Sequence, residues 1–296
     1  MSEALPRSRR PLVAPVLAGV AALAGAVLTV VSVFSDYYED FPVTRRLPGQ
    51  LWFFLVYAAG VAGAGVLLVA TRRTQATGAP ALVVIVTTFI GGRALGVYNV
   101  AFPERGAGPG FSLDSAGFAL VLVAAIIAVV GVLAAGDLHA PWRPVTAGRA
   151  GLAAVAAAAG YVTAVGYGLN PSRIAVEVPG GFGQGTPLIA SPRSLWAQLL
   201  VVIALTAWPA VAVLARRPIA AGLTLGLLSF VVAEAGYRLL SATAKILGRD
   251  PQVDAIEGTW VLLIGGIALT AMLSVRFLTA EGGDREIPAR GGVSAA

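Results

Sequence analysis

The chain has 296 residues, of which 57% are hydrophobic and only 12% charged; a soluble domain carries about 25% charged residues, so this composition describes an integral membrane protein. The formal charge of +6 comes from short arginine clusters at the ends of apolar segments, a membrane-topology pattern and not a nucleic-acid footprint. The absence of cysteine excludes disulfides, iron–sulfur clusters, thiol nucleophiles and Cys-based zinc sites, and a single histidine, His139, excludes any His-rich centre built by one chain.

In chain order, a basic tail with Arg7, Arg9 and Arg10 precedes a first apolar span over 12–34. That span is longer than the apolar region of a signal peptide, and no A-x-A site follows it, so it reads as an uncleaved first helix. Further spans follow at 51–71, 80–102, 116–135, 149–169, 195–215, 218–246 and 258–278. Each holds about 20 residues or more, which at about 1.5 Å per residue matches a hydrocarbon core of about 30 Å. The expected fold class is therefore all-α, with eight transmembrane helices.

Orientation follows from the arginines. The N-terminal tail, Arg72 and Arg73, Arg143 and Arg149, Arg216 and Arg217, and the segment after Arg276 fall on one side. The alternate connections carry acids that balance or outnumber bases, as where Asp36, Glu39 and Asp40 face Arg45 and Arg46. The positive-inside rule then places both termini in the cytoplasm and the protein in the plasma membrane. Twenty arginines against one lysine, Lys245, with abundant Ala, Val and Gly, is the usage of a high-GC bacterial genome.

The spans also repeat. Leu51-Trp52 opens the second and Leu195-Trp196 the sixth, while Arg72-Arg73 closes the second and Arg216-Arg217 the sixth, both pairs 144 positions apart. Arg93 in the third span matches Arg238 in the seventh at 145 positions, and Asp114 and Gly117 resemble Asp254 and Gly258. Four helices is an even number, so the two units share one orientation, as parallel repeats about an axis along the membrane normal. The organisation is thus a tail (1–10), a first four-helix unit (11–140), a second (141–279) and a disordered cytoplasmic tail (280–296).

The outer connections carry most of the remaining sequence. The longest, 170–194, is rich in glycine around Pro179-Gly180-Gly181 and lacks the Gly-Lys-Ser/Thr ending of a phosphate loop. It reads as a connector, with a lid over an outer vestibule as the functional alternative.

Charges inside spans are costly in lipid and mark the candidate site. Glu234 and Arg238 lie at i and i+4 on the seventh span and can pair. Arg238 stands about 30 Å along that helix from Pro218, and Arg93 about 20 Å along the third span from Pro80. Two readings are open. In the structural one, Arg93 ties the third helix to Asp114, and Arg238 ties the seventh to Asp254 or Glu257. In the functional one, Arg93, Glu234 and Arg238 form a cationic binding site for a carboxylate, a phosphate or a lipid headgroup.

Enzymatic chemistry has little to stand on. Paired carboxylates such as Glu39/Asp40 and Asp250/Asp254 lack a basic or metal-ligating companion pattern, and no cofactor or metal motif is present. The reading is a non-catalytic subunit or scaffold of a cell-envelope complex, with the lipid bilayer and a membrane-protein partner or second copy as its contacts. A small transporter or channel for an anionic or lipid-like substrate is the alternative, although Pro209 in the sixth span has no counterpart in the second, unlike the matched broken helices of many transporters.

Overall fold

The computed structural model describes residues 12–38, 41–42, 48–101, 108–134, 144–168, 192–246 and 256–280. Side chains are described for 12–36, 48–90, 108–134, 144–167, 199–240 and 260–274. Among these residues the chain forms eight helices: α1 (Val13–Val33), α2 (Pro48–Ala70), α3 (Arg72–Ala101), α4 (Pro109–Ala134), α5 (Ala147–Gly168), α6 (Pro192–Leu214), α7 (Arg217–Ile246) and α8 (Ile256–Ala280). Two short strands, β1 (Asp36–Tyr38) and β2 (Phe41–Pro42), pair antiparallel directly after α1. The connection at 170–194 and the tails at 1–10 and 280–296 fall almost wholly outside the described residues.

Five of the helices are long and apolar enough to cross a membrane: α1, α2, α4, α5 and the stretch Arg217–Leu240 of α7. The protein is a multi-pass membrane protein on this ground. Large aliphatic side chains point outward, among them Val13, Leu17, Val20, Val27 and Val31 of α1 and Val123, Ile126, Val130 and Leu133 of α4. In water such a surface would be an aggregation liability; in a bilayer it is the lipid-facing side.

Helix ends are set by local chemistry. Thr71 precedes α3, and its hydroxyl accepts from the Thr74 backbone N–H at 3.3 Å while the Thr74 hydroxyl accepts from the Thr71 N–H at 3.0 Å. This reciprocal cap starts α3 before its apolar stretch. Pro48, Pro109 and Pro192 stand at the first positions of α2, α4 and α6, where proline's missing N–H costs nothing. Inside the helices, hydroxyls turn back onto the preceding turn, as where Thr88 donates to Val84 O and Thr163 to Ala159 O. Such polar side chains then need no water within the apolar layer.

The helices form two four-membered rings. In the first, α1 packs on α4 and α2, and α3 on α2 and α4; in the second, α5 packs on α8 and α6, and α7 on α6 and more sparsely on α8. The rings meet through α3 on α7, α2 on α7 and α3 on α6. Neighbouring pairs close up on glycine. An added Cβ at Gly25 would stand 2.7 Å from Gly117 O, and one at Gly19 would stand 2.7 Å from Gly65 O. In lipid, where apolar association gains little, such backbone approach does much of the packing. One apolar core runs continuously through both rings.

The seam at α3 and α7 has a consistent register. Gly222 meets Thr77, Gly226 meets Ala81 and Val84, and Phe230 packs edge-to-face with Phe89 at 5.4 Å between ring centroids. Contacts rise together along both helices, so α3 and α7 run parallel.

Candidate functional site

Glu234 and Arg238 stand one turn apart on α7, facing the interior of the second ring. Their exposures are 0% and 1%, and Arg238 is among the largest fully enclosed side chains. The Arg238 Nε lies 3.8 Å from Glu234 Oε2, a charge contact beyond hydrogen-bond length. The guanidinium's Nη2 donates to the Tyr167 carbonyl at 3.2 Å. Tyr167 is in the last turn of α5, where carbonyls lack intrahelical donors and carry the negative end of the helix dipole. A cation is the matching partner there.

Aromatic rings wall this charge pair. Phe230, one turn before Glu234, packs on Tyr167 at 5.5 Å and on Phe89 at 5.4 Å between ring centroids. Phe89 continues to Tyr57 at 5.0 Å, and Tyr57 to Phe118 at 6.2 Å. The ladder joins α4, α2, α3, α7 and α5 across both rings. On the opposite face of α7, the Trp52 indole donates to Val232 O at 3.0 Å. It lies so close to Gly236 that any Cβ there would overlap the ring nitrogen.

Glu234 is thus an enclosed acid held against an arginine. Removing one partner of a buried pair typically costs about 3–5 kcal/mol, since the other charge is left uncompensated in a medium of low dielectric.

The remaining candidates are spread differently. Asp114 lies inside α4, not before it, because the helix starts at Pro109; it is 3% exposed. Of its helix neighbours, Gly110 presses on the end of α1 and the residues just after it, and Gly117 on the middle of α1. Arg93 belongs to α3 and Glu257 to the first turn of α8, but their side chains lie outside the described residues, as does Asp254 altogether. The pairs Arg93–Asp114 and Arg238–Asp254 or Glu257 therefore involve atoms outside the description, whereas Glu234 and Arg238 are brought together.

Gln75 is a polar node that the sequence reading passed over. It is 1% exposed, accepts from Leu12 N at 3.2 Å and donates to Leu68 O at 2.9 Å. It thus pins the start of α1 to the end of α2 beside the arginine-flanked end of the bundle. Its signal was faint: one amide at a helix start resembles an ordinary interfacial residue. Among the described residues, no group of three His, Asp or Glu side chains is placed to hold a metal ion.

Comparison with known proteins returns no matching family model, no matching curated protein and no matching solved structure.

Proposed function

We propose that this multi-pass membrane protein is a non-catalytic subunit or scaffold of a bacterial cell-envelope complex, residing in the plasma membrane with both termini in the cytoplasm. The observation that carries this reading is the use made of Glu234 and Arg238. The two charges face each other at 3.8 Å and Arg238 bonds the Tyr167 carbonyl, enclosed beside aromatic rings. This supports a role in fixing helix arrangement over a role in binding a travelling solute.

The same reading holds that the chain is a duplicated four-helix unit. Its support is the matching order of neighbours in the two rings, the equal 30-residue lengths of α3 and α7, and seam contacts between positions 145 apart, Thr77 with Gly222 and Ala81 with Gly226. By this duplication Arg93 anchors the first unit through Asp114 as Arg238 anchors the second.

The transporter reading remains the second one because ionisable residues at membrane depth mark solute and ion paths in many proteins. The test is affinity purification of the full-length protein in mild detergent, followed by native mass spectrometry. A stoichiometric protein partner is expected. A monomer or homo-oligomer carrying a bound anion or lipid overturns the subunit reading, and loss of solute flux in a folded Arg93→Gln variant would replace it with transport.

A further inference from the structure

We infer that the seam between the two rings is an autonomous and selective association surface: the halves hold together without their covalent link, and α3 accepts α7 but not another α3. The selectivity clause rests on the duplication reading; the autonomy clause does not.

Autonomy follows from how contacts are distributed. Each half closes its own ring, and the halves then meet through α2, α3, α6 and α7. Helices α4 and α5, which the covalent link joins, are not among the closely packed pairs, so direct packing between them contributes little to holding the halves in register. The seam itself is rich in specific contacts. Gly60 of α2 fits against Ser229 of α7, the Trp52 indole bonds the Val232 carbonyl, and the Trp208 indole donates to Thr87 Oγ1 at 2.9 Å. Contacts come from both directions across the seam, so neither half docks by a single helix.

Selectivity follows from which side carries glycine. A Cβ at Gly222 would overlap the Thr77 carbonyl oxygen, and one at Gly226 would stand 2.6 Å from Val84 Cβ and 2.9 Å from Ala81 O. The obstacle at Gly222 is the Thr77 backbone, and at Gly226 it is the Val84 Cβ together with the Ala81 carbonyl; a rotamer change moves none of these atoms. At the matching positions α3 carries Thr77 and Ala81. Two copies of α3 set in the α3–α7 register would therefore bring a side chain where only hydrogen fits. Such a one-sided requirement discriminates by clash with the wrong partner as much as by contact with the right one.

The experiment uses the full chain with a protease site inserted between α4 and α5, purified in mild detergent, nicked, and captured through a tag on the N-terminal half. The expected result is recovery of both halves at 1:1. Nicked Gly222→Leu should lose most of its C-terminal half, while Gly63→Leu, at a position where an added Cβ meets nothing within 4 Å, should keep it. If Gly222→Leu does not fold, Gly226→Ala supplies a milder step at the same seam and should raise the fraction released. Separation of the nicked parent halves, or retention in both seam variants, overturns the inference. For selectivity, two copies with different tags are co-expressed and nicked. Recovery of one N-terminal half with the other that rises on nicking, above the level in the un-nicked sample, overturns that clause, and the un-nicked sample accounts for any contact between copies or through an external partner.

Discussion

Arg238 on α7 donates to the carbonyl of Tyr167 in the last turn of α5, joining helices that otherwise make little direct contact. The guanidinium places positive charge at the negative end of the α5 dipole and, one turn away on its own helix, faces Glu234. Two negative elements, a helix end and a carboxylate, thereby face one side chain. A lysine would supply the charge but not a planar fork able to face both partners.

Arg238→Ala should therefore lose about 3–5 kcal/mol of stability, because it removes the arginine that faces the buried Glu234. Arg238→Lys should fall between the variant and the parent. Removing both charges, as Glu234→Leu with Arg238→Met, should recover much of the loss, since apolar replacements avoid desolvation altogether. Thermal unfolding in detergent, read by size-exclusion retention, gives the order. A double variant no more stable than Arg238→Ala would show that the arginine matters for something other than its carboxylate.

Gly236 is expected to tolerate no side chain. A Cβ there overlaps the Trp52 indole nitrogen, whose hydrogen bond to Val232 O spans the two rings. Gly236→Val should push the indole out and shift its emission, with a stability loss exceeding that of Trp52→Phe. Trp52→Phe removes one hydrogen bond and should cost about 1 kcal/mol. Comparing the emission of each variant against the Trp52→Phe background isolates this indole from the chain's other tryptophans.

How much of this was visible beforehand depends on what kind of group carries each contact. The eight spans correspond to the eight helices because twenty-residue apolar runs have few other outcomes in a bilayer. Boundaries shifted where helices outlast their apolar stretch: α3 begins at Arg72 because Thr71 and Thr74 cap it, and α4 at Pro109. The Glu234–Arg238 pair was legible from its four-residue spacing. Tyr167 was not, since a backbone carbonyl at a helix end has no side-chain signature. Glycines such as Gly222 and Gly226 were equally silent, because their meaning lies in what faces them. The β1–β2 pair was missed because five strand residues among charged neighbours give no periodic signal.

Gln75 should behave as a hinge pin at the arginine-flanked end. Gln75→Leu keeps the volume but removes the acceptor for Leu12 N and the donor to Leu68 O. The loss expected is about 1–3 kcal/mol, the usual cost of leaving buried polar groups unmatched. The damage should be local, with faster proteolysis near the start of α1 while the far ends of α5 and α7 keep their protection. Uniform loss of protection throughout the bundle would mean that the amide supports the whole fold and not one entry point.

The topology can be measured cleanly because the chain has no native cysteine. Single substitutions Ser2→Cys and Ser172→Cys place one thiol in the N-terminal tail and one in the long connection after α5. With an impermeant maleimide applied to intact cells, Cys at 172 should label and Cys at 2 should label only after lysis. The arginine clusters at Arg72, Arg143 and Arg216 set this expectation, because basic flanks are retained on the cytoplasmic side. The two thiols also test the helix count between them. Residues 2 and 172 are separated by α1 through α5, an odd number of crossings, so they must label from opposite sides if each helix crosses once. Labelling of both from the same side would mean that one of these helices does not cross. α3 would then be the first to suspect, since its opening turns carry Arg72, Arg73 and Gln75 and it is not among the five strongly apolar spans.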